Sequence, residues 1–364
     1  MRKVAIVFDN FGNPNQPFLK EWFFRINNQK SIAIKGFTDK FCFSRETGIV
    51  VLKAGRTEKY FRYLLKMLNP VLKNVNWQLV PVVQFAPDVI HILNAQQVDQ
   101  YQPILENHKT VFSFRGFETS VRPQQDSAWS EKLKSIYSKA TALHFVSDFL
   151  KEEAVKLGAP EEKCVVIRRS VDTGFFKPKA GKKEGQAIHF IAVGRLTWQK
   201  GYSILLQAFA GIVKTNPNTK LTIIGDGPDG AAIAKEIESL DLNKNVKQIP
   251  HLDRKALRES LWKADIFVQA SLSDALPNSV LEASACGLPV VSTEAGGIPE
   301  AVRHEKTGIL VEPGDVELLL TAMIRLMNDF NLRKKLGDNG RQFIVENFSA
   351  EQESKKWEAF YLTL

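Results

Sequence analysis

The sequence is short of what several function classes require. Its 364 residues hold three cysteines, Cys42, Cys164 and Cys286, far apart and without a C-x-x-C pair. Neither a disulfide framework nor a cysteine zinc site is expected, and a reducing cytoplasm fits. Asp-x-Asp, the carboxylate pair that commonly carries a metal-bound nucleotide, occurs nowhere, and a Walker loop, a G-x-S-x-G elbow and a histidine cluster are missing as well. The six histidines are scattered and are expected to be structural. No stretch approaches the roughly 18 unbroken apolar residues of a membrane span. The opening MRKVAIVFDN has only Val4 to Phe8 before Asp9, too short for a secretory leader, and reads as a first β-strand. No nucleic-acid-binding motif is visible, so no nucleic-acid partner is expected.

What is present is an ordinary globular composition, 44% hydrophobic and 24% charged, at a length that favours two domains. The net charge of +9 is uneven: residues 1–180 carry 27 Lys and Arg against 17 Asp and Glu, whereas residues 181–364 carry 22 against 23. The excess in the first half suits an anionic partner. Residues 53–73 concentrate it, with Lys53, Arg56, Lys59, Arg62, Lys66 and Lys73 against Glu58, interleaved with Tyr60, Phe61, Tyr63, Leu64, Leu65 and Leu68. Such a segment is either an ordinary helix with a solvated basic face or a surface for an anionic membrane.

From Ala187 onward, short apolar strands alternate with helices of period 3.6, the signature of βαβ units and a parallel sheet. Strands are expected at 188–193, 220–224, 246–249, 265–269, 289–292 and 308–311, giving a doubly wound α/β domain. The first half is similar in kind, with strands at 3–8, 89–92, 110–114, 142–146 and 164–167. A Lys-, Pro- and Gly-rich run at 177–185 reads as a linker. The organisation is then 1–180, 181–348 and a final amphipathic segment 349–364, packing back toward the first domain through Trp357, Phe360 and Tyr361.

Four elements carry the chemistry. Gly194-Arg195 ends a strand, and Lys200-Gly201 opens the next helix, so two cations meet unpaired helix-end amides in an anion site. Asp274 and Glu282 flank Leu276, Pro277, Asn278 and Ser279, with Asn278 expected as N-cap. Glu282 sits one turn into the helix and Asp274 in the loop, so the pair can address vicinal hydroxyls at two ends of one ligand. Gly296-Gly297-Ile298-Pro299-Glu300 adds a tight turn. Gly225-Asp226-Gly227-Pro228 matches a dinucleotide fingerprint, but its expected acid comes late, at Asp253, and Pro228 removes a backbone donor.

Together these motifs resemble glycosyltransferase family 4, over roughly residues 188–312 and in the family's order; Val146 to Leu150 and Val171-Asp172 extend the likeness more loosely. The resemblance implies a GT-B fold, two Rossmann-like α/β domains with parallel sheets facing across a cleft, the first binding acceptor and the second donor. It implies a retaining transferase that uses a nucleotide-diphosphate sugar and needs neither metal nor other cofactor. It assigns Arg195 and Lys200 to the diphosphate, Glu282 to the ribose, and Asp274 with the amides around Leu276 to Ser279 to the sugar and distal phosphate. Pro250-His251 falls near the base, and Gly194, Gly225 and Gly227 line the donor. Asp274 stands where the family usually has Glu. Arg115, with Glu118 nearby, occupies a stretch where many members place a His, Gly12 remains of a glycine-rich loop, and Arg168-Arg169-Ser170 replaces the usual Pro-Asn-Gly. Arg-rich variants at these places point to transferases of colanic-acid and other exopolysaccharide pathways. Acceptors are then saccharides or lipid-linked sugars, reached from a cytoplasmic or peripheral membrane position. A nucleotide-sugar epimerase, a dehydrogenase using the Gly225 loop and a non-catalytic sugar-nucleotide binding protein remain open alternatives.

Overall fold

The computed structural model describes residues 2–11, 22–26, 31–41, 49–51, 80–95, 107–179 and 187–364. The chain divides into two compact units, one of residues 1–146, 150–167 and 353–364, the other of 147–149 and 168–352.

The first unit carries a seven-stranded sheet. Its strands are β1 (Arg2–Phe11), β2 (Ile32–Phe41), β3 (Ile49–Val51), β4 (Val89–Ile92), β5 (Lys109–Phe114), β6 (Ala142–Phe145) and β7 (Cys164–Val166). Every pairing is parallel, in the order β3-β2-β1-β4-β5-β6-β7. β2 and β3, which the sequence pattern does not announce, extend the sheet outward from β1. The core gathers Val4, Ile6, Phe23, Val89, Val111 and, from the end of the chain, Trp357 and Tyr361.

A buried polar chain runs through this core. His144 Nε2 lies 2.9 Å from the Ile167 carbonyl, which can only accept, so the proton sits on Nε2 and Nδ1 accepts. Ser113 Oγ therefore donates to His144 Nδ1 at 2.7 Å and accepts from His91 Nε2 at 2.7 Å. His91 Nδ1 is left to accept from the Tyr361 hydroxyl at 2.5 Å. One carbonyl thus fixes every proton along the chain, and Trp357 covers both rings at 5.0 and 4.4 Å. Burial first, then His144 and Arg115, hold His91 well below its ordinary 6.5, as a neutral ring in this arrangement requires. These two histidines are structural, as expected.

The second unit carries six parallel strands, β8 (His189–Val193), β9 (Lys220–Ile224), β10 (Val246–Ile249), β11 (Ile266–Gln269), β12 (Val290–Thr293) and β13 (Gly308–Val311), in the order β10-β9-β8-β11-β12-β13. Helices cover both faces, so β11, β12 and β13 are buried along their whole length, apolar except for Gln269, Ser292 and Thr293 at the carboxyl ends of β11 and β12. The helix Tyr202–Thr215 turns Tyr202, Leu205, Leu206, Phe209 and Ile212 inward, with Phe209 edge-on to Phe190 at 6.0 Å. Helix starts are set by aspartates: Asp253, Asp315 and Asp329 accept from Ala256, Leu318 and Leu332 N–H at 2.8, 2.8 and 2.9 Å. Asp253, the late acid of the dinucleotide fingerprint, is thereby spent as a cap.

Candidate functional site

Strand order in the second sheet reverses between β8 and β11, because the chain builds outward to β10 and then returns to the other side of β8. In open α/β sheets ligands bind beyond the carboxyl ends of the strands at such a reversal. The loops after β8 and β11 are those that carry Arg195, Lys200 and Asp274.

Glycines let these loops lie backbone to backbone. Gly201 takes φ 61°, and a Cβ there would fall 1.9 Å from the Ala270 carbonyl oxygen. The contact is completed by Leu272 N–H donating to Gln199 O at 2.7 Å. Lys200 Nζ is thereby brought into an ion pair with Asp274 Oδ2, the two side chains only 18% and 14% exposed. Two residues read from sequence as separate ligand contacts, 74 positions apart, are joined directly.

Gln269, the last residue of β11 and unsuspected in the sequence, ties the cluster together. Its Nε2 donates to Ser271 Oγ at 2.9 Å and to Asp274 Oδ2 at 3.0 Å, while its Oε1 accepts from Ser279 Oγ at 2.9 Å. The Ser279 hydroxyl is thus committed, leaving its amide toward a ligand.

The helix Asn278–Ala285 starts from Pro277, with no side-chain cap bond. Asn278 is therefore the first helical residue, not the N-cap expected from sequence. The proline removes one donor, and the N–H groups of Asn278, Ser279 and Val280 have no acceptor among the described residues. This is the uncommitted end at which a helix favours an anion. Glu282 lies one turn in, part-exposed. Its charge and, more strongly, burial push the Cys286 thiol up to about 12, so that thiol stays protonated and inert. Arg341 fixes the far end of this helix, donating to Ala285 O and Phe176 O at 2.9 Å.

The Arg195 side chain is exposed and makes no ion pair among the described residues. Its loop is braced from behind. Gly225 takes φ 151°, where a Cβ would stand 1.9 Å from Gly194 O, and a Cβ on Gly227 would stand 2.2 Å from Leu196 O. Leu196 N–H donates to Asp226 O at 2.9 Å, and His251 N–H donates to Asp226 Oδ2 at 3.1 Å. The fingerprint glycines therefore allow loop-on-loop packing, with Pro250 and His251 exposed beside them. Gly296 and Gly297 do the same on the other flank, where Cβ atoms would lie 2.0 Å from Asp274 O and 1.7 Å from Ala275 O. Leu276 is fully buried between these flanks.

Glu300 is held by Arg168 Nε at 2.6 Å and accepts from Phe149 N–H at 3.1 Å, and Arg168 also pairs with Asp148. The arginine at the first position of the Arg-Arg-Ser departure thus neutralises the acid of the Gly-Gly-Ile-Pro-Glu turn. In the first unit, the Glu118 carboxylate accepts from Arg115 N–H, and the Glu118 carbonyl accepts from Trp129 Nε1 at 2.7 Å, so Glu118 shapes the turn after β5. Gly12 and residues 53–73 lie outside the described residues.

Two doubly wound parallel units define the class, the GT-B fold. The solved Anabaena protein HepE in complex with UDP-glucose has it too, with TM-score 0.79 at 17% identity, covering 100% of both chains. Residues 173–343 match the family described as "Glycosyl transferases group 1". The chain is 28% identical over 306 residues to the N-acetyl-alpha-D-glucosaminyl L-malate synthase of Bacillus anthracis, covering 82% of this chain and 78% of that one. Over 50% of the chain it is 32% identical to an amylovoran biosynthesis glycosyltransferase of Erwinia amylovora, of which it spans 46%.

Proposed function

We propose that this protein is a retaining glycosyltransferase that moves a hexose from a nucleotide-diphosphate sugar to a saccharide or lipid-linked acceptor, without a metal, in cell-surface polysaccharide or glycoconjugate synthesis. The observation that carries the reading lies at the strand-order reversal. The loops after β8 and β11 and the helix that follows carry the exposed Arg195, the Lys200–Asp274 pair and the amides of Asn278, Ser279 and Val280, which have no acceptor among the described residues. Charge opposite to theirs, on a diphosphate, is what such an arrangement takes.

Arg195 and Lys200 hold the diphosphate, with the Asn278 helix end at the distal phosphate. Glu282 accepts from the ribose, Asp274 from a sugar hydroxyl, and the base lies by Pro250 and His251. An acceptor hydroxyl attacks the anomeric carbon from the face of the leaving group as the bond to the phosphate oxygen breaks, and that oxygen takes the hydroxyl's proton. Charge grows on the departing phosphate, so cations and amides that bind more strongly there lower the barrier. Gly12, Arg115 and Glu118 are the candidates for acceptor contact, and the basic run of residues 53–73 is the candidate for contact with an anionic membrane. The names of the relatives favour a glycoconjugate or polysaccharide product, and the UDP-glucose bound by HepE makes UDP-sugars the first donors to try.

The test is a thermal-shift screen of UDP, GDP and ADP with their sugars in EDTA, followed by product analysis. The expected result is stabilisation by one nucleotide family without added metal, lost in Arg195→Ala, and release of nucleoside diphosphate only when acceptor is present. No shift with any nucleotide, or a shift that requires magnesium or manganese, overturns the reading; product formed without acceptor would favour an epimerase.

A further inference from the structure

We propose that Gln269 is a positioning residue for donor-sugar recognition: it fixes which oxygen of Asp274 meets the sugar. The inference rests on the nucleotide-sugar reading of this site. Asp274 Oδ2 receives both Lys200 Nζ and Gln269 Nε2, whereas Oδ1 has no partner among the described residues. A carboxylate held by two donors on one oxygen cannot swing, and it presents the other oxygen in one direction.

Gln269 is suited to the task by place and chemistry. It ends β11, which lies between β8 and β12 in the interior of the sheet, and it is 4% exposed. Its carbonyl is pinned by Ser292 Oγ at 2.9 Å, and the Ser271 carbonyl by Thr293 Oγ1 at 2.6 Å. Asp274 only accepts, so the amide nitrogen must face it and Oε1 must face Ser279; the orientation has no alternative that keeps every bond. Lys200 alone does not do this, because an ammonium is a point charge that leaves the carboxylate free to turn about it. The amide adds direction and carries no charge, so it leaves the cation's attraction for phosphate intact. A buried polar group with all its bonds satisfied at the end of a central strand, beside a residue assigned to the sugar, is explained by this role.

The experiment compares Gln269→Leu and Gln269→Glu with the wild type. Binding is measured by calorimetry for UDP, GDP and ADP alone and for their glucose conjugates, with melting temperature alongside. In Gln269→Leu, affinity for the preferred free diphosphate stays within about twofold, while the glucose conjugate loses about tenfold, as expected for a bond to a charged group. Gln269→Glu keeps the size of the side chain and sets a second carboxylate against Asp274. Its conjugate affinity recovers as pH falls toward 5, where the new carboxyl takes a proton and can donate to Oδ2, and the wild type shows no such recovery. Equal loss of diphosphate and conjugate together with lowered melting temperature makes Gln269 merely structural and overturns the proposal. Unchanged conjugate affinity in both variants, or a pH-independent defect in Gln269→Glu, overturns it as well. If the wild type itself binds no nucleotide, the reading beneath fails first, and the proposal with it.

Discussion

Removing Lys200 does more than delete a cation, since Asp274 then stays behind without its ion-pair partner at the proposed diphosphate site. Lys200→Met is therefore expected to weaken binding of a free nucleoside diphosphate by more than tenfold. Asp274→Asn, which releases the lysine, is expected to leave that affinity unchanged or raise it while weakening the sugar conjugate. Combined, the substitutions are non-additive, with a coupling of about 1 to 3 kcal/mol in a double-mutant cycle read by calorimetry; additive effects would show the pair to be incidental. His91 makes a second residue-scale prediction. The folded protein keeps the ring neutral well below 6.5, so from about pH 6.5 downward the unfolded chain binds the extra proton. Stability is full above that pH and falls below it, by up to about 1.4 kcal/mol per unit from this group. His91→Gln is expected to flatten the acid limb of a urea-midpoint against pH curve between 6.5 and 5, and an unaltered slope would contradict the account. The charged residues of the candidate site stand out at this scale because charge and spacing show in a sequence. Gln269 does not: an amide at a strand end has no spacing signature, and its partners Ser271, Asp274 and Ser279 matter only once the loop has folded over it.

At the level of strands and loops, two glycines separate two reasons for glycine. Gly158 has φ 95° and nothing within 4 Å of a Cβ, so only backbone conformation demands it. Gly297 has an ordinary φ of −88°, and only the Ala275 carbonyl, 1.7 Å from a Cβ, demands it. Gly158→Ala is expected to cost about 1 to 2 kcal/mol and leave nucleotide binding alone. Gly297→Ala is expected to cost about 2 to 3 kcal/mol and also to weaken binding of the sugar conjugate, because Ala275 adjoins Asp274; denaturation curves and calorimetry on both variants check the contrast. The strands of the second unit were readable to within a residue, since burial on both faces leaves apolar runs such as Gly308–Val311 that match outright. β2 escaped notice because Lys35, Gly36, Thr38 and Asp39 interrupt its apolar pattern, and β3 is an edge strand of three residues. The meeting of Lys200 and Asp274 was not legible either, for it depends on β11 pairing with β8 and not with β10.

Across the whole molecule, charge and chain path matter most. The basic excess of residues 1–180, 27 cations against 17 anions, predicts cosedimentation with phosphatidylglycerol vesicles at low salt that fades above about 0.15 M as screening sets in. Replacing Lys59, Arg62 and Lys66 by Gln is expected to abolish it, and equal pelleting with neutral vesicles would remove the electrostatic case. The described residues include no helix long and apolar enough to cross a bilayer. The chain leaves the first unit after Ile167 and re-enters it at Glu353, so 185 residues of the second unit intervene. Trp357 and Tyr361, 2% and 0% exposed, come only after those 185 residues in the chain, yet the first sheet's core is closed around them. At about 5 to 20 residues per second, an emerging chain spends some 10 to 40 seconds with that core open and the His91 ring waiting for its phenol. The first sheet's core is in consequence completed only after the second unit has been made, and in that interval a holding chaperone has something to cover.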